Sequence, residues 1–310
     1  MTSLLATKCN HEEITESPFS DLNVNLQDEN GETTLMRASC NGYTKIVESL
    51  LLIPESFAGQ RLDINLQDKK GGTALIRAAW HGYTEIVKLL TSRPELNVNL
   101  QGENGWTALT WASLWGYTEI VKLLISRPES SVDGVVQRLD VNLQDEYRDT
   151  ALTLASLNGH TEIVESLLSR HDLDVNHQNK YGYTAFIAAS WEGYTEIVKL
   201  LLSRPELDVN LQNENGDTAL ILASLNGHTE TVKSLLSIPD LDVNHQNKYG
   251  CTALIAASWE GYTEIVKLLL SRSTGQRLDV NLRDVEGDTA LTTASHRGHV
   301  EIVSLLENHK

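Results

Sequence analysis

Ten histidines and three cysteines carry the chemistry that would make this 310-residue chain a catalyst or a metal protein. Their spacing argues against both. Cys9, Cys40 and Cys251 are too scattered for a zinc site or a disulfide framework, and so few cysteines fit a reducing compartment. His177 and His245 stand in the same local sequence, Asn-His-Gln-Asn-Lys-Tyr-Gly, but 68 residues apart. His160, His228 and His299 follow a glycine at a slot where Tyr43, Tyr83, Tyr117, Tyr194 and Tyr262 stand elsewhere. A slot that exchanges histidine for tyrosine this freely serves packing or hydrogen bonding, not metal ligation or general-base work. Glu119, Glu162, Glu196, Glu230 and Glu264 recur near one helix start, where a carboxylate complements the helix dipole. There is no phosphate-binding glycine loop and no Gly-x-Ser-x-Gly elbow. The expectation is a protein that is not an enzyme and takes no metal or cofactor.

Tryptophan offers a different chemistry, that of a binding anchor. Trp80, Trp191 and Trp259 share one slot, two residues before a glycine. Trp106 follows a turn glycine, and Trp111 and Trp115 are four apart, on one helical face. Tyr147, Tyr181, Tyr183 and Tyr249 crowd the later turns. The candidate partner-binding residues are therefore Trp80, Trp106, Trp111, Trp115, Tyr147, Tyr183, Trp191 and Trp259. The competing reading is that these rings simply pack one structural unit on the next. Arg37 and Arg77 share another variable slot, and His81, Asn158, Glu192, Asn226, Glu260 and Arg297 a third, both suited to tuning specificity.

What must position these side chains is a recurrence. The pattern Asp-Val-Asn … Gly-x-Thr-Ala-Leu … Gly-Tyr/His-Thr-Glu-Ile-Val occurs eight times, its first aliphatic residue falling at Val24, Ile64, Val98, Val141, Val175, Val209, Val243 and Val280. The steps are 40, 34, 43, 34, 34, 34 and 37 residues, so the period is 34 with insertions of six, nine and three. In the sixth unit, Asp208–Leu211 is expected to be a short extended piece, and Asn215-Gly216 a turn. Thr218 can cap a helix of small and aliphatic residues that starts at Ala219 and ends at Gly227. Thr229 opens a second helix with Val232, Leu235 and Leu236 on one stripe. Neither helix is long enough to stand alone, so stacking must supply the burial.

This unit resembles the ankyrin repeat, over roughly residues 22–310, and the resemblance rests on residues such as Asp284, Gly287, Thr289, Ala290, Leu291, Ala294, Gly298 and His299. It implies an all-α, ankyrin-repeat solenoid of helix–turn–helix units joined by short hairpin-like turns. The departures are systematic. The family's proline is alanine in seven units, Ala74 and Ala151 among them, and Thr34 in the first; its histidine is Met36, Ile76, Thr110, Thr153, Ile187, Ile221, Ile255 and Thr292. Gly102 replaces the usual turn Asp or Asn, and Arg148 stands where the other seven turns have glycine. Arg148 either keeps that backbone at a cost of about 1 kcal/mol or marks a turn of altered shape. The resemblance further implies protein–protein binding through the concave face, as a module or adaptor. It leaves two alternatives: a purely structural scaffold, or a substrate of an asparaginyl hydroxylase acting at Asn25, Asn65, Asn99, Asn142, Asn176, Asn210, Asn244 or Asn281.

The formal net charge of −17 opposes nucleic acid and acidic membranes, and suits a protein partner with a basic surface. No apolar run reaches the 18 residues of a membrane span, and residues 1–20 do not read as a signal peptide, so the expectation is a cytoplasmic chain, monomeric alone. A non-classical secretion route would leave no trace in the sequence. Residues 1–20 read as a flexible or irregular lead and 21–310 as one repeat domain, with repeats starting near 22, 62, 96, 139, 173, 207, 241 and 278. The insertions Ser56–Asp63, Asp133–Asp140 and Ser273–Asp279 all end in Gln-Arg-Leu-Asp and lie between a second helix and the next turn, as exposed loops or inherited slack.

Overall fold

A computed structural model describes residues 23–54, 61–132, 135–272 and 275–309, with backbone only over 130–137. The expected lead over 1–20, Ser56–Gln60 of the first insertion, Asp133 and Gly134 of the second, and Ser273 and Thr274 of the third lie outside the described residues. Sixteen α-helices follow in eight pairs among the described residues: α1 Thr34–Cys40 and α2 Thr44–Leu51, α3 Ala74–Trp80 and α4 Thr84–Thr91, α5 Ala108–Trp115 and α6 Thr118–Ile125, α7 Ala151–Leu157 and α8 Thr161–Leu168, α9 Ala185–Glu192 and α10 Thr195–Leu202, α11 Ala219–Leu225 and α12 Thr229–Leu236, α13 Ala253–Glu260 and α14 Thr263–Ser271, α15 Ala290–Arg297 and α16 Val300–Glu307. First helices stack on first helices and second on second, repeat after repeat. The fold is an all-α solenoid. In the second insertion two three-residue strands, Ser130–Val132 and Val135–Gln137, form a small antiparallel hairpin.

The chain folds this way because each unit carries the same local instructions. Every first helix is capped by a threonine whose hydroxyl accepts an amide three residues on, as Thr73 does from Ile76 and Thr184 from Ile187. Each such cap contributes about 1 kcal/mol. Small residues such as Ala78, Ala79 and Ala112 are fully buried and let first helices approach closely, while second helices contribute Ile86, Val87 and Leu90 and their equivalents. The result is one continuous apolar core from Leu35 to Leu306. The glycines that end first helices are fixed twice over. Gly116 has φ +75, and a Cβ there would meet the His160 ring of the next repeat at 2.6 Å.

The Asp-Val-Asn element corrects one expectation. It is a turn, not an extended piece, because the Asp208 carboxylate accepts the Asn210 amide at 3.0 Å and folds the chain over. Arg148 keeps the glycine backbone, with φ +60. The turn of altered shape is the third. Gly102 supplies no carboxylate to hold the turn amides, as Asp68 does for Lys70 and Gly72 at 2.8 Å each. That turn closes instead with two left-handed residues, Asn104 at φ +60 and Gly105 at φ +82.

Candidate functional site

The third turn delivers Trp106 onto Trp111 of α5, with ring centroids 4.1 Å apart and planes 24° from parallel. Trp111 in turn stacks on Trp80 of α3 at 5.2 Å and 18°. Trp80 continues to His81 at 5.2 Å, and His81 to Tyr83 at 5.7 Å. Five rings thus run without a break from repeat 3 into repeat 2. Trp80 is 46% exposed, and Trp106 and Trp111 are half-buried. Each stacked aromatic pair contributes about 0.5–1.5 kcal/mol beyond its buried area, so the rings are held in place before any ligand arrives. Trp115 shares a helix with Trp111 but stands apart, 54% exposed and without a ring partner among the described residues.

The other candidates fall into separate groups. Tyr147 stacks on Tyr181 of the next turn at 6.4 Å. Tyr183 meets Trp191 at 5.6 Å with the planes tilted by 55°. Burial and the charge of Asp217 push the Tyr183 phenol above its usual value, against a hydrogen bond with Asn213. Trp259 carries the Arg297 guanidinium 3.6 Å above its ring. These side chains combine packing with exposure: Tyr147, Tyr181, Tyr183 and Trp191 each meet one neighbouring ring, and Trp259 meets a guanidinium.

Charges beside the stack are largely spent within the protein. The Arg77 guanidinium, in a side chain only 18% exposed, bridges Glu32 at 2.6 Å and Asp68 at 2.5 Å. Burial opposes ionisation of Asp68, but hydrogen bonds from Arg77 and from the Gly72 and Lys70 amides outweigh it and hold the carboxyl below its ordinary value. Arg37 likewise pairs with Asp28 and Glu32. These arginines are therefore scaffold ties more than free specificity determinants. Repeat 4 has the same carboxylate slots, Asp145 and Asp149, but Leu154 where Arg37 and Arg77 stand. Burial pushes Asp145 up, and burial plus the charge of Asp145 pushes Asp149 up. Sequence reading missed this pair; the signal was the loss of arginine from the slot while both acids were kept.

Five of the ten histidines join neighbouring repeats. His160, His228 and His299 donate through Nε2 to the carbonyls of Leu114, Trp191 and Trp259 at 3.0, 2.7 and 3.2 Å. His177 and His245 donate to the turn carbonyls of Arg148 and Gly216, at 2.8 Å each. The repeated asparagines form a second ladder. Asn176, for example, donates to the Glu206 carbonyl at 2.7 Å and accepts the Asp208 amide at 2.8 Å, and Asn25, Asn65, Asn99, Asn142, Asn210 and Asn244 repeat the bridge. Among the described residues no group of three His, Cys, Asp or Glu side chains could hold a metal ion, and no helix is long and apolar enough to cross a membrane. Cys40 and Cys251 are free thiols, and burial pushes the latter up to about 12.

Helix pairs, capped turns and inter-repeat ladders agree with the comparisons. A model of ankyrin repeats in three copies matches residues 3–101, 53–135, 129–213 and 205–284, and a model of the single ankyrin repeat matches 286–309. No curated protein gives a significant match. The matched segments span most of the chain, and it belongs to the ankyrin repeat family.

Proposed function

We propose that this chain is a protein-binding module or adaptor that captures its partner on the concave face built by the turns and first helices. Ankyrin-repeat architecture generally mediates protein–protein interactions. The observation that carries the reading here is the partly exposed stack of Trp106, Trp111 and Trp80. A rigid aromatic surface loses little side-chain entropy on binding, which is what makes tryptophan an effective anchor. The net charge of −17 favours a partner with a basic surface, drawn in by long-range attraction. The reading includes a cytoplasmic, monomeric protein with one repeat domain over 21–310. The asparagine bridges favour a structural role for those side chains over that of a hydroxylase substrate.

The test is capture with the wild-type chain and with Trp106→Ala and Trp111→Ala, each first compared by circular dichroism. Partners held by the wild type should bind the folded variants about tenfold more weakly or worse. Undiminished capture by both folded variants would refute the reading, and loss of folding in both would make the stack core.

A further inference from the structure

Repeats 7 and 8 show how this scaffold holds a guanidinium. Arg297, at the end of α15, lies 3.6 Å above the ring of Trp259, which belongs to the preceding repeat. Asp174–Ser203 and Asp242–Ser271 differ only at Tyr183/Cys251 and Phe186/Leu254, so Trp191 occupies in repeat 5 the setting that Trp259 has in repeat 7. What differs is the cover supplied by the following repeat. The slot of Arg297 is held in repeat 6 by Asn226, whose amide turns back to the Leu222 carbonyl at 3.0 Å. Trp191 is 40% exposed, and among the described residues its one ring neighbour is Tyr183, a second aromatic wall where Trp259 has Cys251.

Charge in the same row points the same way. Glu192 precedes Asn226 and Glu260 follows it, each one repeat away, or about 10 Å. Both are exposed, and neither pairs with a cation among the described residues. A planar guanidinium stacks on an indole face and is drawn to it by the ring quadrupole, and flanking carboxylates add to that attraction.

We infer that Trp191, Tyr183 and Asn226 form a seat for an arginine side chain of a basic protein segment, the side chain taking the place that Arg297 takes over Trp259. This rests on the protein-binding reading above and names the chemistry of the partner.

The test uses the full chain labelled with fluorotryptophan, so that each indole reports separately by fluorine NMR, its signal assigned by single Trp→Phe variants. A capped hexa-arginine peptide at physiological salt should shift the Trp191 signal saturably. Hexa-citrulline should not, and hexa-lysine should act severalfold more weakly. Asn226→Arg, which installs the internal cover, should weaken the response at Trp191 at least tenfold. Arg297→Asn should make Trp259 respond as well. That row already holds Glu, Asn and Arg in different repeats, so both variants are expected to fold. A silent Trp191, an equal response to citrulline or lysine peptides, or an unchanged response in Asn226→Arg would overturn the seat. Shifts confined to Trp80, Trp106 and Trp111 would overturn the seat and leave the concave-face reading standing. Undiminished capture by Trp106→Ala and Trp111→Ala, with Trp191 still titrating, would remove the anchoring role of those two rings and leave the seat.

Discussion

Six serines, Ser39, Ser113, Ser156, Ser190, Ser224 and Ser258, occupy one slot of the first helices, wholly buried and with hydroxyls that meet no hydrogen-bond partner. Repeat 2 has Ala79 at this slot, also fully buried, and repeat 8 has Ser295, which is exposed. These two natural variants set up a measurement. In Ser224→Ala, removing an unmet buried hydroxyl recovers about 1–3 kcal/mol. The better helix propensity of alanine adds about 0.5 kcal/mol. Against this stand the lost contacts of one oxygen atom, at about 0.1–0.2 kcal/mol each, and a small void. The expected net gain is about 1–2 kcal/mol. With a urea slope of about 3 kcal/mol/M, the unfolding midpoint followed by far-UV circular dichroism should rise by roughly 0.3–0.7 M. Ser295→Ala is the control: its hydroxyl is hydrated, so only the propensity gain of about 0.5 kcal/mol should appear. Ser156 and Ser224 are two repeats apart, so the double variant should show additive gains. A Ser224→Ala midpoint below wild type, or no higher than that of Ser295→Ala, would refute the claim that these hydroxyls are an unmet cost.

Two further substitutions test the turn chemistry. Asp145 and Asp149 have folded pKa values raised above the ordinary 3.8, Asp145 by burial and Asp149 by burial with the charge of Asp145. Raised carboxyls favour the protonated fold, so their stability contribution is full below about 3.8 and is lost as pH rises through the folded values. Asp145→Asn should therefore stabilise by about 1 kcal/mol at neutral pH, because its new amide can donate to Asp149 as Asn213 does to Asp217 at 3.3 Å. The gain should shrink toward acid in a pH series of urea midpoints, and a gain constant with pH would count against the buried-acid account. Arg148→Gly relieves a left-handed arginine at φ +60, at the slot where seven turns have glycine, and should add roughly 0.5–1 kcal/mol net of glycine's greater unfolded-state freedom. A loss of stability, read by the same unfolding assay, would show that the Arg148 side chain has a tie that outweighs the strain.

The scaffold was legible because its causes are local and repeated. Threonine caps, turn glycines and the apolar stripe of each second helix act within a few residues, and eight copies leave little room for chance. The Asp-Val-Asn element reads as extended in the sequence, whereas a carboxylate-to-amide bond two residues on makes it a turn. The site was half legible. Trp106 and Trp111 stand out as rings absent from their slots in other repeats, while Trp80 shares its slot with Trp191 and Trp259. Their joining into one stack spans two repeats and a turn with a left-handed Asn104, which spacing along the chain does not reveal. Arg77 read as a specificity residue because its partners, Glu32 and Asp68, come from two different turns, which pairing by sequence distance does not reveal.

Trp191 and Trp259 show why function in a solenoid is read from pairs of repeats and not from single ones. Over thirty positions their repeats differ at only two, Tyr183/Cys251 and Phe186/Leu254, and the first helix begins and ends at equivalent residues. Even the backbone carbonyls of the two tryptophans meet a histidine from the following repeat, His228 and His299. Yet one indole is covered by a guanidinium and the other is not, because the covering residue belongs to the next unit, Arg297 in one case and Asn226 in the other. Duplication therefore copies a surface without copying its occupancy. A repeat that looks redundant in sequence becomes distinct when its neighbour changes one exposed side chain, and such a change costs the core nothing, since the slot lies outside it. That makes the rows of exposed slots, more than the motif, the place where a solenoid of near-identical units acquires a particular partner.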